Sequence, residues 1–464
     1  MTHASIGNTS LSTLFRIVGL TTATALAGTP ALAEDTRPDV LMMVWDTTRM
    51  DHLSLYGHTR PTTPNLDRIA QDAVVFTDAQ TSGYWTVPAA ASLLTGLFPH
   101  NHGVDFEPYR TPDYSIELPP EAVTLAEMFN AAGYRTGMLN ASRIITDNPS
   151  FAQGFEVFEF IGEGRLAQRA LEYVQEDDDR PWLLVMWYLT PHAPYTPEAP
   201  WDRWVRDDVG PVNIRGCNKS VEAPEGHVNQ CDVNSGKVVL DADQWDQLER
   251  MYDGEILRND HHLGAFWTKL EQGGHTDNLV FAFTSDHGEA FNDHDNARAW
   301  HNFPYDNNQS VPLVLRYPDK LPAARVDTAV RTMDLYATLA ELAQITPPTV
   351  VNAQSLLPVA RGTDTTDRPN TGGNHGGMRY YYDGQHKLVY VRRSPTTPDR
   401  LGWLFDQHTD PREANNLAKA QPALGEKVHQ AAKRFIEQTS IEVGQGSGID
   451  DAQVQLLREM GYLE

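Results

Sequence analysis

The stretch from Gly83 to Gly96 places a hydroxyl group where it could attack a charged ester. It reads GYWTVPAAASLLTG, with Thr86 two residues before Pro88 and small residues after it. Proline is accepted in the first turn of a helix, and the free N–H groups at a helix N-terminus attract anions. Thr86 is therefore placed either as a nucleophile beside a bound anion or as the N-cap of the helix. Taken alone, the stretch favours the cap.

Carboxylate and imidazole side chains follow three apolar stretches of strand length. Asp46, His192 and the adjacent pair Asp286 and His287 come after these stretches. The stretches are DVLMMVW at 39–45, WLLVMWYL at 182–189 and NLVFAF at 278–283. Such runs are typical of parallel strands buried on both faces, whose carboxyl ends meet at one edge of the sheet. These side chains can therefore converge, and the set suits Mn, Zn or Fe, or Ca and Mg if further oxygens join.

The order of the elements predicts an α/β fold. Strand-like and helix-like segments alternate at least five times, which indicates a mostly parallel sheet with helices on both faces. A polar, glycine-rich stretch at 363–377 reads as a linker, and short strands and a helix at 417–438 follow it. We therefore expect a larger α/β domain at 34–365 and a smaller C-terminal α+β subdomain at 366–464.

The first 33 residues have the pattern of a secretory signal peptide. Arg16 precedes a short apolar run, and Ala31 and Ala33 form a small-residue cleavage site. The run is interrupted by threonines and is short for a membrane anchor, which is the alternative interpretation. No later segment approaches the length of an apolar membrane span. We expect a periplasmic or secreted protein without stable membrane insertion.

Two further features bear on compartment and partners. Cys217 and Cys231 lie in a loop-like region at 199–240, and two nearby cysteines in an exported chain predict one disulfide. A loop of this length is usually functional. The chain has 37 Lys and Arg against 62 Asp and Glu, a net charge of −25. This charge disfavours nucleic acid as a partner, so an anionic substrate would need a local positive centre such as a metal ion.

Several short motifs, in this order and spacing, resemble the sulfatase family of the alkaline phosphatase superfamily. They are DTTRMDHL at 46–53, TPNLD at 63–67, SLLTG at 92–96, PHAPY at 191–195, TSDHGE at 284–289, VPL at 311–313, DPREANNL at 410–417 and LREMGYL at 457–463. The resemblance covers nearly all of the chain after the signal. It implies the sulfatase fold and an ester hydrolase.

The chain departs from the family at its centre. Sulfatases proper carry C-x-P-x-R or S-x-P-x-R, whose Cys or Ser is converted to formylglycine, but here Thr86 and Ala90 stand at the first and last positions. Threonine cannot become formylglycine. Thr47 also stands where many sulfatases have a second metal-binding aspartate. Relatives with threonine at the position of Thr86 include members that resemble phosphodiesterases and phosphoglycerol transferases. In these the threonine hydroxyl itself attacks phosphorus.

The resemblance implies a role for each candidate residue. One divalent ion (Mn, Zn, Fe or Ca) is expected at Asp46, Thr86, Asp286 and His287. The expected catalytic residues are Thr86, His192 and His301, with either histidine as general acid, and the expected substrate-binding residues are Asn140 and His294. The implied function is an exported, metal-dependent hydrolase that cleaves phosphate or sulfate esters of small molecules or glycans through Thr86.

Two alternatives belong to other functional classes. A non-catalytic relative could bind anionic glycans after losing the formylglycine site, although it would not need a full set of metal ligands. A phosphoglycerol-type transferase would pass the group to an acceptor, although such enzymes are usually tethered to a membrane. The sequence indicates neither the leaving group nor the oligomeric state.

Overall fold

An eight-stranded sheet, built from the apolar runs of the sequence, organises the described part of the chain. This computed structural model describes residues 37–104, 116–217, 223–294, 297–301, 303–348, 351–373, 377–392 and 398–444. The predicted signal peptide at 1–33 and the motif at 457–463 lie outside these ranges.

The strands of the described residues are numbered in chain order. They are β1 (Asp39–Trp45), β2 (Val74–Phe76), β3 (Ala79–Gln80), β4 (Arg135–Asn140), β5 (Val157–Phe160), β6 (Trp182–Tyr188), β7 (Asn213–Arg215), β8 (His227–Asn229), β9 (Leu279–Thr284), β10 (Phe291–His294), β11 (Ala297–Ala299), β12 (Leu313–Arg316), β13 (Ala324–Val326), β14 (Val330–Arg331), β15 (Asn370–Gly373), β16 (Met378–Tyr382), β17 (His386–Val391) and β18 (Arg400–Asp406).

The helices are numbered in the same way. They are α1 (Pro64–Ile69), α2 (Thr86–Thr95), α3 (Pro99–His102), α4 (Leu125–Ala131), α5 (Arg143–Thr146), α6 (Glu163–Val174), α7 (Gln230–Asn234), α8 (Ala242–Gly273), α9 (Asp306–Gln309), α10 (Leu335–Leu342), α11 (Leu357–Ala360) and α12 (Pro422–Thr439). Short 3₁₀ turns lie at Met50–His52, Ser54–Tyr56, Ala70–Asp72, Pro149–Ala152 and Thr332–Asp334.

The main sheet is mostly parallel, as the sequence predicts. Its strand order is β13-β2-β12-β9-β1-β6-β4-β5, and only β12 runs antiparallel to its neighbours. In the register of the central strands, Val44 of β1 lies between Trp187 of β6 and Thr284 of β9. The carboxyl ends of these three strands are therefore level, which brings the residues that follow them to one edge.

The two faces of the sheet pack into separate apolar cores. Along β1, alternate residues point to opposite faces because side chains in a strand repeat every two residues. Val40, Met42 and Val44 join the core under α2, α4 and α10, whereas Leu41, Met43 and Trp45 join the core under α1, α6 and α8. The prediction of helices on both faces is thus confirmed, and it explains why the run at 39–45 is apolar without alternation.

A smaller antiparallel sheet follows in the C-terminal part of the chain. Strands β15 to β18 pair in sequence order, and α12 packs against them through Val428 and Ala432. A second apolar cluster joins this sheet to the main domain through Tyr84, Phe303 and Tyr305. The α+β subdomain is therefore present, while the exact domain limits at 33/34 and 365/366 stay predictions.

The interpretation of 363–377 as a linker is wrong in one part. Asn370–Gly373, which lies inside this stretch, forms the buried strand β15. Its glycines do not mark a flexible connection. A Cβ atom at Gly372 would overlap the carbonyl oxygen of Ser82, so glycine is needed there for the close approach of two backbones.

The long segment at 199–240 is more ordered than its composition indicates. Strands β7 and β8 pair in parallel within it, and α7 follows directly. The predicted disulfide is confirmed, since Cys217 and Cys231 are bonded. Among the described residues, no helix combines the length and the apolar composition needed to cross a bilayer.

Candidate active site

Thr86 is the first helical residue of α2. Trp85 precedes it with extended backbone angles and occupies the N-cap position, where no side chain caps the helix. The interpretation of Thr86 as the N-cap is therefore wrong, since Trp85 holds that position. Every residue of α2 is buried, and Gly96 ends the helix with a left-handed conformation. The helix thus fixes Thr86 on a rigid, fully packed element.

Four predicted ligand residues converge at the carboxyl edge of the main sheet. The Nε2 atom of His287 lies 3.3 Å from Oγ1 of Thr86. The same nitrogen lies 3.6 Å from Oδ1 of Asp46 and 3.4 Å from Oδ2 of Asp286. All four side chains are buried. The level ends of β1 and β9, together with the start of α2, produce this convergence.

His287 is held with one nitrogen available to a metal. Its Nδ1 lies 2.9 Å from the carbonyl oxygen of Gly288, so the ring proton is on Nδ1 and is donated there. This leaves the lone pair of Nε2 directed at the cluster, the arrangement that backbone carbonyls impose on histidine ligands. Burial lowers the pKa of His287 to about 3, so the ring is neutral at physiological pH.

The two carboxylates of the cluster have no compensating cation among the described residues. Oδ1 of Asp286 accepts hydrogen bonds from the backbone N–H groups of Thr47 and His287, at 3.2 and 2.9 Å. Oδ2 of Asp286 and both oxygens of Asp46 accept no well-formed hydrogen bond from the residues that the structure describes. Burial, joined by repulsion between the two carboxylates, raises the pKa of Asp46 well above its ordinary value, and burial also raises the pKa of Asp286.

These residues fit a divalent cation. Burying two carboxylates without a counter-charge is strongly unfavourable, and a bound cation removes that cost. Asp46, Asp286 and His287 offer ligand atoms within 4.8 Å of one another. A set of two carboxylates, one imidazole nitrogen and the hydroxyl of Thr86 suits Mn, Zn or Fe.

His301 lies at the centre of a group of rings beside this cluster. Its ring centroid is 4.3 Å from that of His287 and 5.4 Å from that of His192. Trp300 stacks on His301 at 5.1 Å and meets the His192 ring edge-on at 4.9 Å. The structure therefore brings both predicted catalytic histidines next to the predicted metal ligands.

His192 is oriented in the same way as His287. Its Nδ1–H donates to the carbonyl oxygen of Ala193 at 2.7 Å, while its buried Nε2 has no hydrogen-bond partner among the described residues. Burial lowers the pKa of His192 to about 4, and the neighbouring His287 adds to the shift. At physiological pH this ring is neutral, so Nε2 can accept a proton.

The two predicted substrate-binding residues make their described contacts elsewhere. The side-chain oxygen of Asn140 accepts a hydrogen bond from Thr146 at 2.7 Å, and its amide donates to the carbonyl of Glu159 at 3.4 Å. His294 stacks on Tyr305 with ring centroids 3.6 Å apart. Their part in binding substrate stays a prediction.

Three residues beside the site were not assigned a role from the sequence. Thr47 has a positive φ of 54°, and its buried hydroxyl has no hydrogen-bond partner among the described residues. Oε1 of Glu289 lies 3.7 Å from Nδ1 of His301. Trp300, stacked on His301, also has a positive φ, of 76°. The position of Glu289 two residues after His287 was the one available signal, since backbone strain leaves no mark in a sequence.

A second histidine–aspartate cluster lies outside this site. Asp253 of α8 is 2.7 Å from Nδ1 of His52 and 2.9 Å from Nε2 of His58. Arg60 also contacts this carboxylate, at 2.5 Å. We call these four residues the Asp253 cluster, and Asp46, Asp286, His287 and Thr86 the Asp46 cluster.

Fold and site together define an α/β protein with its polar site at the carboxyl edge of a parallel sheet, the class to which the alkaline phosphatase superfamily belongs. The sequence profile of the sulfatase family matches residues 38–345, and a profile described as N-sulphoglucosamine sulphohydrolase, C-terminal, matches residues 299–440. The chain belongs to the sulfatase family and is an ester hydrolase of that family.

Individual relatives are distant but extensive. An arylsulfatase of Clostridium perfringens is 23% identical, with 83% of this chain and 91% of the relative covered. The multifunctional alkaline phosphatase superfamily protein PehA of Trinickia caryophylli is 24% identical, with 86% and 95% covered. The crystal structure of the phosphonate monoester hydrolase of Agrobacterium radiobacter superposes with a TM-score of 0.69 at 20% identity, covering 87% of this chain and 96% of that one.

Proposed function

We propose that this protein is an exported, metal-dependent hydrolase that cleaves phosphate, phosphonate or sulfate esters, with Thr86 as the nucleophile. The observation that carries the proposal is the convergence of Oγ1 of Thr86, Nε2 of His287 and the oxygens of Asp46 and Asp286. The hydroxyl of Thr86 thus lies beside two carboxylates and an imidazole that suit a divalent cation. It is well placed for nucleophilic attack once the negative charge is balanced.

A divalent cation held by Asp46, Asp286, His287 and Thr86 would supply Lewis-acid chemistry, lowering the pKa of the hydroxyl and balancing charge on the ester. Thr86 gives its hydroxyl proton to solvent as Oγ1 attacks the phosphorus or sulfur, and the bond to the leaving group breaks as the threonine ester forms. The first turn of α2 adds N–H groups that favour an anion at this position.

The two histidines are given different parts in the reaction. His192 is neutral, and its buried Nε2 has no hydrogen-bond partner among the described residues, so it accepts the proton of the water that later hydrolyses the threonine ester. His301 lies beside both His192 and His287, and it donates the proton to the leaving group. The sequence allowed either histidine to be the general acid. This division of roles assigns the general acid to His301 and not to His192.

The absence of a formylglycine precursor favours phosphorus over sulfur. A formylglycine site releases its product by elimination and does not need water to cleave the covalent ester. A threonine ester lacks that route and must be hydrolysed, which favours a phosphoester intermediate. Relatives described as phosphonate monoester hydrolase and arylsulfatase place both kinds of ester within the family.

Export is part of the proposal. The Cys217–Cys231 disulfide supports it, because disulfides persist in oxidising compartments such as the periplasm. Together with the signal pattern at 1–33, it leads to a periplasmic or secreted protein. N-terminal sequencing of the mature protein from its native host should give Glu34 as the first residue, and an intact Met1 would contradict export by this signal.

The decisive experiment compares variants of two buried threonines on the same helix. Thr86→Ala and Thr86→Ser are assayed beside Thr95→Ala. The hydroxyl of Thr95 donates to the carbonyl of Ala91 and accepts from the N–H of Leu97. Aryl phosphate mono- and diesters, phosphonates and sulfates are tested with Mn, Zn, Fe and Ca. We expect Thr86→Ala to lose at least about 10³-fold in kcat/KM, Thr86→Ser to keep part of it and Thr95→Ala to stay active.

Acid-quenched samples give an independent test of the nucleophile. Mass spectrometry of the peptide containing Thr86 should show the added phosphoryl or sulfuryl group during turnover, and Thr86→Ala should not. Full activity in Thr86→Ala would contradict the assignment. No turnover of any ester with any of these metals would favour a protein that only binds anionic glycans, and transfer to an added alcohol in place of water would favour a transferase.

A further inference from the structure

The segment that carries His301 is short and held under backbone strain. It leaves strand β11 at Ala299, and Trp300 then adopts a φ of 76° before His301 reaches the site. A positive φ is unusual for a bulky side chain and persists only where the surroundings enforce it. The position of the His301 ring therefore depends on what holds the backbone just before Trp300.

Asn234 holds that backbone at two points. Its side-chain oxygen accepts the N–H of Ala299 at 2.9 Å, and its side-chain amide donates to the carbonyl of Ala299 at 3.0 Å. The second amide hydrogen is donated to Oε1 of Gln230 at 3.0 Å. The side-chain amide thus pairs with the N–H and C=O of Ala299 as the backbone of a neighbouring strand would. All of its donors and its acceptor oxygen are hydrogen-bonded.

Asn234 is itself fixed by the disulfide-bonded loop. It is the last residue of α7, which contains Cys231, and the disulfide ties this helix to Cys217, two residues after β7. Val233, its neighbour, is buried in the core that also contains Ala299. A continuous set of contacts therefore runs from the disulfide through α7 and Ala299 to Trp300 and His301.

We infer that Asn234 is a positioning residue, which holds Ala299 so that His301 lies against His287 in the geometry needed to donate a proton. The inference rests on the proposed function, in which His301 is the general acid. It also gives the segment at 199–240 a specific role, because Asn234 in this segment fixes the backbone that leads to His301. Small displacements of a catalytic group reduce rates strongly, so losing the two hydrogen bonds should slow the chemical step.

The test compares Asn234→Ala with Asn229→Ala in the full-length protein. Asn229 lies in the same loop and accepts a hydrogen bond from Arg215, with no bond to Ala299. We expect Asn234→Ala to lower kcat about 10- to 100-fold with KM changed less than about threefold, and Asn229→Ala to retain wild-type kcat. Bound metal should be equal in both variants, since no ligand is touched.

A double-mutant cycle shows whether Asn234 acts through His301. In a His301→Ala background, Asn234→Ala should cost nothing further, because coupled residues are not additive. An equal further loss in that background would overturn the inference. If His301→Ala lowered kcat and Asn234→Ala kept the wild-type kcat, the inference would be contradicted but the proposed function would not. Full rates in both Thr86→Ala and His301→Ala would instead contradict the proposed function.

A measurement without substrate completes the test. In protein labelled with ¹³C-histidine, the His301 signal is assigned as the one lost in His301→Ala. This signal should shift in Asn234→Ala and stay in place in Asn229→Ala. An unshifted His301 signal in Asn234→Ala would overturn the inference, whatever the activity.

Discussion

The Asp46 cluster and the Asp253 cluster use the same residue types and reach opposite electrostatic outcomes. Both combine buried aspartate with histidine, and both place ligand atoms within 4.8 Å of one another. In the Asp253 cluster, burial alone would raise the pKa of Asp253, but His52 and His58 bring it well below its ordinary value. In the Asp46 cluster, burial prevails and the pKa of each carboxylate is raised.

The difference lies in which counter-charges the fold supplies. Arg60 contacts the carboxylate of Asp253 directly, at 2.5 Å. No described lysine or arginine pairs with Asp46 or Asp286, and His287 is kept neutral. A cation added to the Asp253 cluster would meet an arginine on the same carboxylate, whereas one added to the Asp46 cluster would balance two charges. We therefore expect the first cluster to support the fold and the second to take up a cation.

The largest expected effect comes from removing a carboxylate from the Asp46 cluster. Asp46→Asn takes away one metal ligand, so we expect loss of bound metal and a fall in kcat/KM on the order of 10³-fold. The metal-free variant should nevertheless unfold at a higher temperature than metal-free wild type, because one uncompensated buried charge is gone. Elemental analysis, ester hydrolysis and thermal unfolding measure the three outcomes. Retention of wild-type metal content would contradict the assignment of this cluster.

The matching substitution in the Asp253 cluster should act on stability. Asp253→Asn leaves Arg60, His52 and His58 without their buried counter-charge, and breaking such a pair costs about 3 to 5 kcal/mol in the free energy of unfolding. Urea denaturation measures this loss. At a temperature where the variant is folded, its metal content should equal that of wild type. A stable variant that has lost metal would reverse the functions of the two clusters.

Removing and restoring metal should give a smaller change in the unfolding temperature, and this change should depend on the Asp46 cluster only. At a free concentration 100 times the dissociation constant, bound metal stabilises the native state by about 2.7 kcal/mol. We expect chelation to lower the unfolding temperature of wild type and added Mn or Zn to restore it. Asp253→Asn should keep this response. If Asp46→Asn kept it as well, the ion would bind elsewhere.

Local sequence patterns predicted most of the fold and part of the candidate site. The runs at 39–45 and 182–189 are apolar at every position because both faces of their strands are buried, and this pattern is visible in the sequence. Once the strands are parallel, Asp46, His192 and Asp286 must follow strands that end at the same edge. Thr86 could be placed beside them only through the family resemblance.

Features set by distant contacts could not be predicted. Asp253 lies 201 residues from His52, in the middle of a long helix, where one acidic residue gives no signal. The strand β15 was hidden by glycines that permit a close backbone approach. The hydrogen bonds between Asn234 and Ala299 join residues that are 65 positions apart in the sequence. They depend on a segment whose composition predicted an irregular loop.

The smallest expected effect is a pH dependence of stability that arises in the Asp253 cluster. Burial lowers the pKa of His52, but the charge of Asp253 and the hydrogen bond to it prevail, so the pKa lies above the ordinary value of 6.5. Because the pKa of His52 is raised by folding, its interaction with Asp253 stabilises the protein fully below about pH 6.5. This contribution is lost as pH rises through the higher pKa of the folded state. Asp253 has a lowered pKa, so its contribution is complete above its ordinary value of 3.8 and is lost as pH falls below it.

The contribution of the pair is therefore greatest between these two values, in a range where Arg49 and Asp51 also act on His52 with opposite signs. The difference in the free energy of unfolding between wild type and His52→Gln should be about 1 kcal/mol larger at pH 5.5 than at pH 8.5. Chemical denaturation of metal-free protein at both pH values measures it. A difference that grew with pH would show that His52 is neutral in the folded protein, and the carboxylate of Asp253 would then be held by Arg60 and His58.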